Sequence, residues 1–140
     1  MSITHIDHVG IAVADLDAAI AFYEKAYGMT CAHVEVNEEQ GVREAMMAVG
    51  DSGSCIQLLA PIDESSTIAK FLDRSGPGMQ QLAYRVADLD AVSAALRGRG
   101  LRLLYDEPRR GTSHSRVNFI HPKDAGGVLV ELVEPAHETH

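Results

Sequence analysis

His5-Ile-Asp-His-Val-Gly-Ile-Ala-Val-Ala-Asp-Leu-Asp17 reads as a strand that runs into a helix cap. Val9, Ile11 and Val13 alternate with His8, Gly10 and Ala12, so the two sets face opposite sides of a sheet. The first set is greasy and suits packing on a helix. The second set, two small residues and one imidazole, suits a strand that faces a cavity. Asp15 stands where an N-cap belongs, and Asp17 adds negative charge to the first helical turn.

The stretch returns later in the chain. Ala14-Asp-Leu-Asp-Ala18 recurs letter for letter as Ala87-Asp-Leu-Asp-Ala91, 73 residues on. Val9, Ile11 and Val13 map to Leu82, Tyr84 and Val86, and His8 maps to Gln81. Cys55-Ile-Gln-Leu-Leu-Ala-Pro61 matches Leu129-Val-Glu-Leu-Val-Glu-Pro135 at an offset of 74, which sets Gln57 opposite Glu131. The chain is a duplicated module. The pattern predicts an α+β fold of two tandem βαβββ modules. Module one covers about 5–61, a connector 62–77, and module two about 78–135, all within one domain over 1–140.

Working outward, a helix is expected from Leu16 to Tyr27, with Leu16, Ile20, Tyr23 and Tyr27 at helical spacing and Gly28 ending it. Strands follow near Met29–Val36, Val42–Val49 and Ser54–Ala60. The connector holds a short helix from Ser66 to Leu72. Copy two gives a strand at Met79–Val86, a helix at Leu89–Arg97, and strands near Arg102–Asp106, Ser115–Ile120 and Val128–Val133. Arg109–Ser113 reads as a polar loop.

The net charge of −8 argues against nucleic acid as a partner. It is unevenly spread: residues 1–70 hold 3 basic and 11 acidic side chains, and residues 71–140 hold 9 of each. The basic residues of the second half, among them Arg97, Arg99, Arg102, Arg109, Arg110, Arg116 and Lys123, read as a salt-bridged surface or as a local phosphate site. No apolar run matches a membrane span, and the two cysteines, Cys31 and Cys55, make no disulfide framework. A reduced, cytoplasmic protein with no membrane partner is the expectation.

The first and last strands of each copy carry one polar residue on the small-residue face: His8 and Gln57, then Gln81 and Glu131. A carboxylate inside an apolar strand is costly to bury alone. Four such residues at matched positions predict one convergent site. They offer an imidazole nitrogen and three oxygens to a divalent cation, a set that suits an oxygen-favouring ion with open positions better than structural zinc. The alternative is a polar core network in which the two glutamines satisfy Glu131 and His8. Glu44 lies among Ala45, Met46, Met47 and Ala48. It is either a general base with a raised pKa in a thioether-lined pocket, or a solvent-facing partner of Arg43.

Further marks are Phe22-Tyr23, Gly41-Val-Arg-Glu-Ala45, Ile56-Gln-Leu58, Gly76-Pro-Gly78, Ala83-Tyr-Arg-Val86 and His121-Pro-Lys123 leading to Gly127-Val-Leu-Val-Glu-Leu132. With these the chain resembles the vicinal oxygen chelate superfamily from Ile6 to Pro135, and within it the methylmalonyl-CoA epimerases. The resemblance implies two βαβββ modules whose curved mixed sheet surrounds a metal site. It matches His8, Gln57 and Glu131 to family ligands and Glu44 to the proposed base. Gln81 takes a position where the family usually has a histidine, in Gln80-Gln81, and an amide oxygen is a weaker donor than imidazole.

The implied activity is inversion at C2 of methylmalonyl-CoA through an enolate. The implied cofactor is a divalent ion: Co2+ first, with Mn2+, Ni2+, Zn2+ or Mg2+ as the others. The implied partners are an acyl-CoA substrate and a second copy of the chain in a homodimer. Glu44 would move the proton on one face. Glu131, Glu107 or a metal-bound water would serve the other. Competing readings are a glyoxalase-type metal isomerase and a metal-free drug-binding protein of the bleomycin-resistance type. A ring-cleaving dioxygenase is disfavoured, because Gln81 removes one of the two histidines that oxygen-activating iron normally needs.

Overall fold

The computed structural model describes residues 2–136. In chain order the elements are β1 (Ile3–Ala12), α1 (Leu16–Tyr27), β2 (Thr30–Asn37), β3 (Val42–Ala48), β4 (Cys55–Pro61) and α2 (Thr67–Ser75). Then come β5 (Gly78–Val86), α3 (Leu89–Gly98), β6 (Arg109–Arg110), β7 (Arg116–Ile120) and β8 (Val130–Glu134). The βαβββ order is present twice, as the duplication predicts. The chain forms two compact units. One is His8–Gln80; the other joins the residues up to Asp7 with those from Gln81 onward.

In the unit His8–Gln80 the strand order is β2-β3-β4-β1. β1 and β4 run parallel, and the other two pairings are antiparallel. Strand alternation gives this sheet two different faces. Ile11, Ala45, Met47, Leu58 and Ala60 face α1 and close on Leu16, Ile20 and Tyr23. Removing Leu16 to alanine from such a cluster costs roughly 2–5 kcal/mol. On the opposite face Ala12, Val42 and Leu59 meet Ile68, Phe71 and Leu72 of α2. Helix α1 begins where Asp15 accepts a hydrogen bond from the Ala18 N–H, and ends at Gly28 in the left-handed region. Gly41 is needed at its turn for two reasons. Its φ is +73°, and a Cβ there would come within 2.9 Å of the Ser66 Cβ at the cap of α2.

The second unit repeats the plan with order β5-β8-β7-β6. Tyr84, Val86, Ile120, Val130 and Leu132 pack on Leu89, Val92 and Leu96 of α3. Asp88 accepts from the Ala91 N–H as Asp15 does from Ala18, so the repeated motif makes the same cap twice. Here the buried Glu134 adds a second acceptor, taking the Leu89 N–H at 3.0 Å and the Arg116 guanidinium at 3.1 Å. Asp7 is buried and meets Arg85 through two guanidinium nitrogens, at 2.8 and 2.6 Å.

One expected strand is not formed. Arg102–Asp106 makes a single bridge, Leu103 to Ile120, and the edge of the sheet is instead the two-residue β6, inside the stretch expected to be a loop. The reason is the Asn118 side chain. Its Oδ1 accepts from the Tyr105 N–H and its Nδ2 donates to the Tyr105 carbonyl. A side chain thus replaces one rung of the ladder. Pro108, with no N–H to offer, then lies between the bridge and β6.

Asn118→Ala should lower the unfolding free energy by about 1–2 kcal/mol, because it strands the Tyr105 N–H while the carbonyl keeps the Arg97 guanidinium; urea denaturation measures this. A second expectation concerns acid. The Arg102 side-chain hydrogen bonds at 2.9 and 3.1 Å hold the Asp124 carboxyl down at about 2 instead of the usual 3.8. A lowered carboxyl adds stability above its unfolded value and loses it as pH falls through the folded one. The pH dependence of unfolding between about 4 and 2 should therefore flatten in Asp124→Asn.

Candidate active site

In the unit His8–Gln80, the face opposite α1 carries His8, Gly10 and Ala12 from β1. The register sets Gln57 beside Gly10 and Leu59 beside Ala12. From β3 the same face receives Val42, Glu44 and Met46, with Met46 opposite Gln57 and Glu44 opposite Leu59. His8, Glu44 and Gln57 are each 3 % exposed. The Gln57 amide nitrogen donates to Glu44 at 2.9 Å.

This settles how Glu44 sits. It is not a solvent-facing partner of Arg43, which is exposed. Nor is it lined by two thioethers, because Met47 points to the α1 side and only Met46 shares its face. A buried carboxylate fixed by an amide donor has a set direction and a proton-accepting oxygen, which is what a general base needs.

The other unit repeats the device with its parts exchanged. The Gln81 amide nitrogen donates to Glu131 at 2.8 Å. Glu131 is buried and lies opposite Ala83 on one side and Phe119 on the other. The face away from α3 is otherwise closed by Ala83, Val117 and Val133. Val117 stands opposite Val133 as Glu44 stands opposite Leu59, so the copy of the Glu44 position carries no charge. Each unit therefore pairs one glutamine with one glutamate, on β4 and β3 in one and on β5 and β8 in the other.

The chemistry of these donors fits a hard cation. An amide that gives its nitrogen to a carboxylate keeps its oxygen as the ligating end. Of the four residues read from the sequence as ligands, His8 and Gln57 lie in the unit His8–Gln80, and Gln81 and Glu131 in the other. Among the described residues no group of three or more His, Cys, Asp and Glu side chains is arranged to hold an ion.

The basic residues divide. Arg97 donates to the Tyr105 and Asp106 carbonyls, Arg102 to Asp124, and Arg116 to Asp90 and Glu134. These three make internal contacts, as the salt-bridged reading expects. Arg109 lies 4.3 Å over the Tyr105 ring. Sequence reading missed the pair His33 and Glu35 on β2, whose alternation with Val34 and Val36 was the available signal.

Residues 7–119 match the Glyoxalase/Bleomycin resistance protein/Dioxygenase superfamily. The crystal structure of methylmalonyl-CoA epimerase from Mycobacterium tuberculosis is 64 % identical, covers 96 % of this chain and 90 % of its own, and superposes with a TM-score of 0.95. A methylmalonyl-CoA epimerase in complex with methylmalonyl-CoA and NH4+ is 52 % identical with a TM-score of 0.93, covering 96 % of both chains. The ethylmalonyl-CoA/methylmalonyl-CoA epimerase of Cereibacter sphaeroides is 36 % identical over 93 % of this chain and 97 % of its own.

A double-mutant cycle between Glu44→Leu and Gln57→Leu should return a coupling of about 1.5–3 kcal/mol, the range for a hydrogen bond to a charged group. Gln57→Leu should cost more stability alone than in the Glu44→Leu background, read by denaturant unfolding.

Proposed function

This chain belongs to the glyoxalase/bleomycin resistance protein/dioxygenase superfamily, and from that premise we infer that it interconverts the two C2 epimers of methylmalonyl-CoA. The observation that carries this is the near full-length match, at 64 % identity, to a methylmalonyl-CoA epimerase. A related epimerase holds methylmalonyl-CoA itself, and nothing among the similar proteins supports the drug-binding alternative. The reaction is an isomerisation with an acyl-CoA as substrate.

The residue roles are our proposal. The C2 proton lies between a thioester and a carboxylate, so its loss leaves charge delocalised on oxygen. Glu44 takes or returns that proton on one face, and the Gln57 amide holds the carboxylate in place for it. Glu131, steadied by Gln81, serves as the acid on the other face. His8, Gln57, Gln81 and Glu131 would hold a divalent metal, with Co2+ favoured by the family resemblance. When bound, that ion supplies Lewis-acid stabilisation of charge on the thioester oxygen. Burial of His8, Glu44 and Gln57 keeps water from competing for the same positions.

We also propose a homodimer in the cytoplasm. Phe22, Tyr27, Val34 and Val36 are large apolar side chains left half exposed on α1 and β2, which supports a covering partner. Cys31 and Cys55 carry thiols, not a disulfide, which suits a reducing compartment. Among the described residues no helix is long and apolar enough to cross a membrane.

The test is proton exchange in heavy water. Metal-loaded protein should incorporate deuterium at C2 of methylmalonyl-CoA while stereochemical purity is lost, and chelator should stop both. Glu44→Gln should lower exchange on one face by roughly 100-fold or more while metal content is unchanged. A fully active Glu44→Gln protein would sink the assignment of that base.

A further inference from the structure

The β2–β3 hairpin carries a second carboxylate beside Glu44. Asn37 Oδ1 accepts from the Gln40 N–H at 3.1 Å, and the Gly41 N–H reaches the Glu38 carbonyl at 3.2 Å. These bonds fix the turn and so the register of the two strands. In that register Glu35 lies directly opposite Glu44, with His33 opposite Met46 and Asn37 opposite Val42. Direct cross-strand partners project to the same face, with Cβ atoms about 5 Å apart. His33 Nε2 and Glu35 Oε1 are 2.6 Å apart. Exposure rises outward along the row: Glu44 is 3 % exposed, the Glu35 side chain 17 % and the His33 side chain 41 %.

Such a row answers a need of the reaction. A carboxylate that has taken the substrate's proton must lose it before it can act again in the same direction. Glu44 is too buried to do so by meeting bulk water directly. We propose that Glu35 and His33 form a relay through which Glu44 exchanges its proton with solvent. The proposal rests on Glu44 as the C2 base. Glu44 gives up its O–H proton as a Glu35 oxygen takes it. Glu35 passes a proton to Nε2 of the imidazole in its Nδ1–H tautomer. The imidazolium then releases its Nδ1 proton to water, and proton exchange of the exposed side chain with water restores the Nδ1–H tautomer. Both carboxylates end ionised and the ring neutral, with no other reagent consumed. Neither Glu35 nor His33 touches the substrate in this scheme; their part is to connect the base to water.

The test uses metal-loaded protein in heavy water, starting from each epimer in turn. The readout is deuterium in the recovered starting epimer per molecule of product epimer formed. That ratio measures how often Glu44 exchanges before it returns its proton. Glu35→Gln and His33→Gln should each lower it roughly tenfold for the epimer whose C2 proton faces Glu44. Added imidazole should restore it in His33→Gln. An unchanged ratio in both variants, or a loss of exchange and product in equal measure with no rescue, would overturn the relay. Glu44→Gln is the control: if it removes exchange while the Glu35→Gln ratio stays at the parent value, only the relay fails. If Glu44→Gln still exchanges on both faces, the base assignment fails and the relay with it.

Discussion

A carboxylate buried in a β-sheet must be met by a donor, and for the two carboxylates of the candidate site, Glu44 and Glu131, that donor is a glutamine. Gln57 meets Glu44 and Gln81 meets Glu131, at nearly the same distance. The cost of burying charge without a partner is large enough to decide whether such a sheet folds at all. Everything around these pairs follows from keeping them dry and aimed. Gly10 stands beside Gln57, Ala45, Met47, Leu58 and Ala60 turn to α1, and Ala83, Val117 and Val133 close the matching face of the other unit.

The duplication explains why the arrangement is orderly, and the proposed roles of Glu44 and Glu131 rest on its asymmetry. Two identical copies would hold two identical acids. Here Val117 fills the position that Glu44 holds in the first copy, while Glu131 fills the position of Gln57. At these two matched positions one glutamate, Glu44, stands on β3 and one, Glu131, on β8. A reaction that inverts a carbon centre needs two groups in different settings, and divergence of a repeat is a direct way to obtain them.

Much of this was legible in the sequence, for reasons tied to particular residues. The Ala-Asp-Leu-Asp-Ala motif announces a strand, a cap and a helix, because an aspartate N-cap is a local interaction that needs no distant partner. The polar positions His8, Gln57, Gln81 and Glu131 stood out against apolar neighbours of fixed alternation. What could not be read depends on pairing across strands. The replaced rung at Tyr105 is made by a side chain thirteen residues away. The juxtaposition of Glu35 with Glu44 is set by the Asn37–Gly41 turn, and a shift of one residue would have turned Glu35 to the opposite face.

The broken strand before β7 has one more consequence. A long, regular outer strand would offer a row of unpaired backbone groups to any passing chain. In this unit that rim is occupied by two arginines, Arg109 and Arg110, and by a stretch in which the Tyr105 backbone groups are taken by the Asn118 side chain. Charge and interruption make a poor template for adding a foreign strand. The irregularity that hid this segment from sequence reading is thus a safeguard against aggregation.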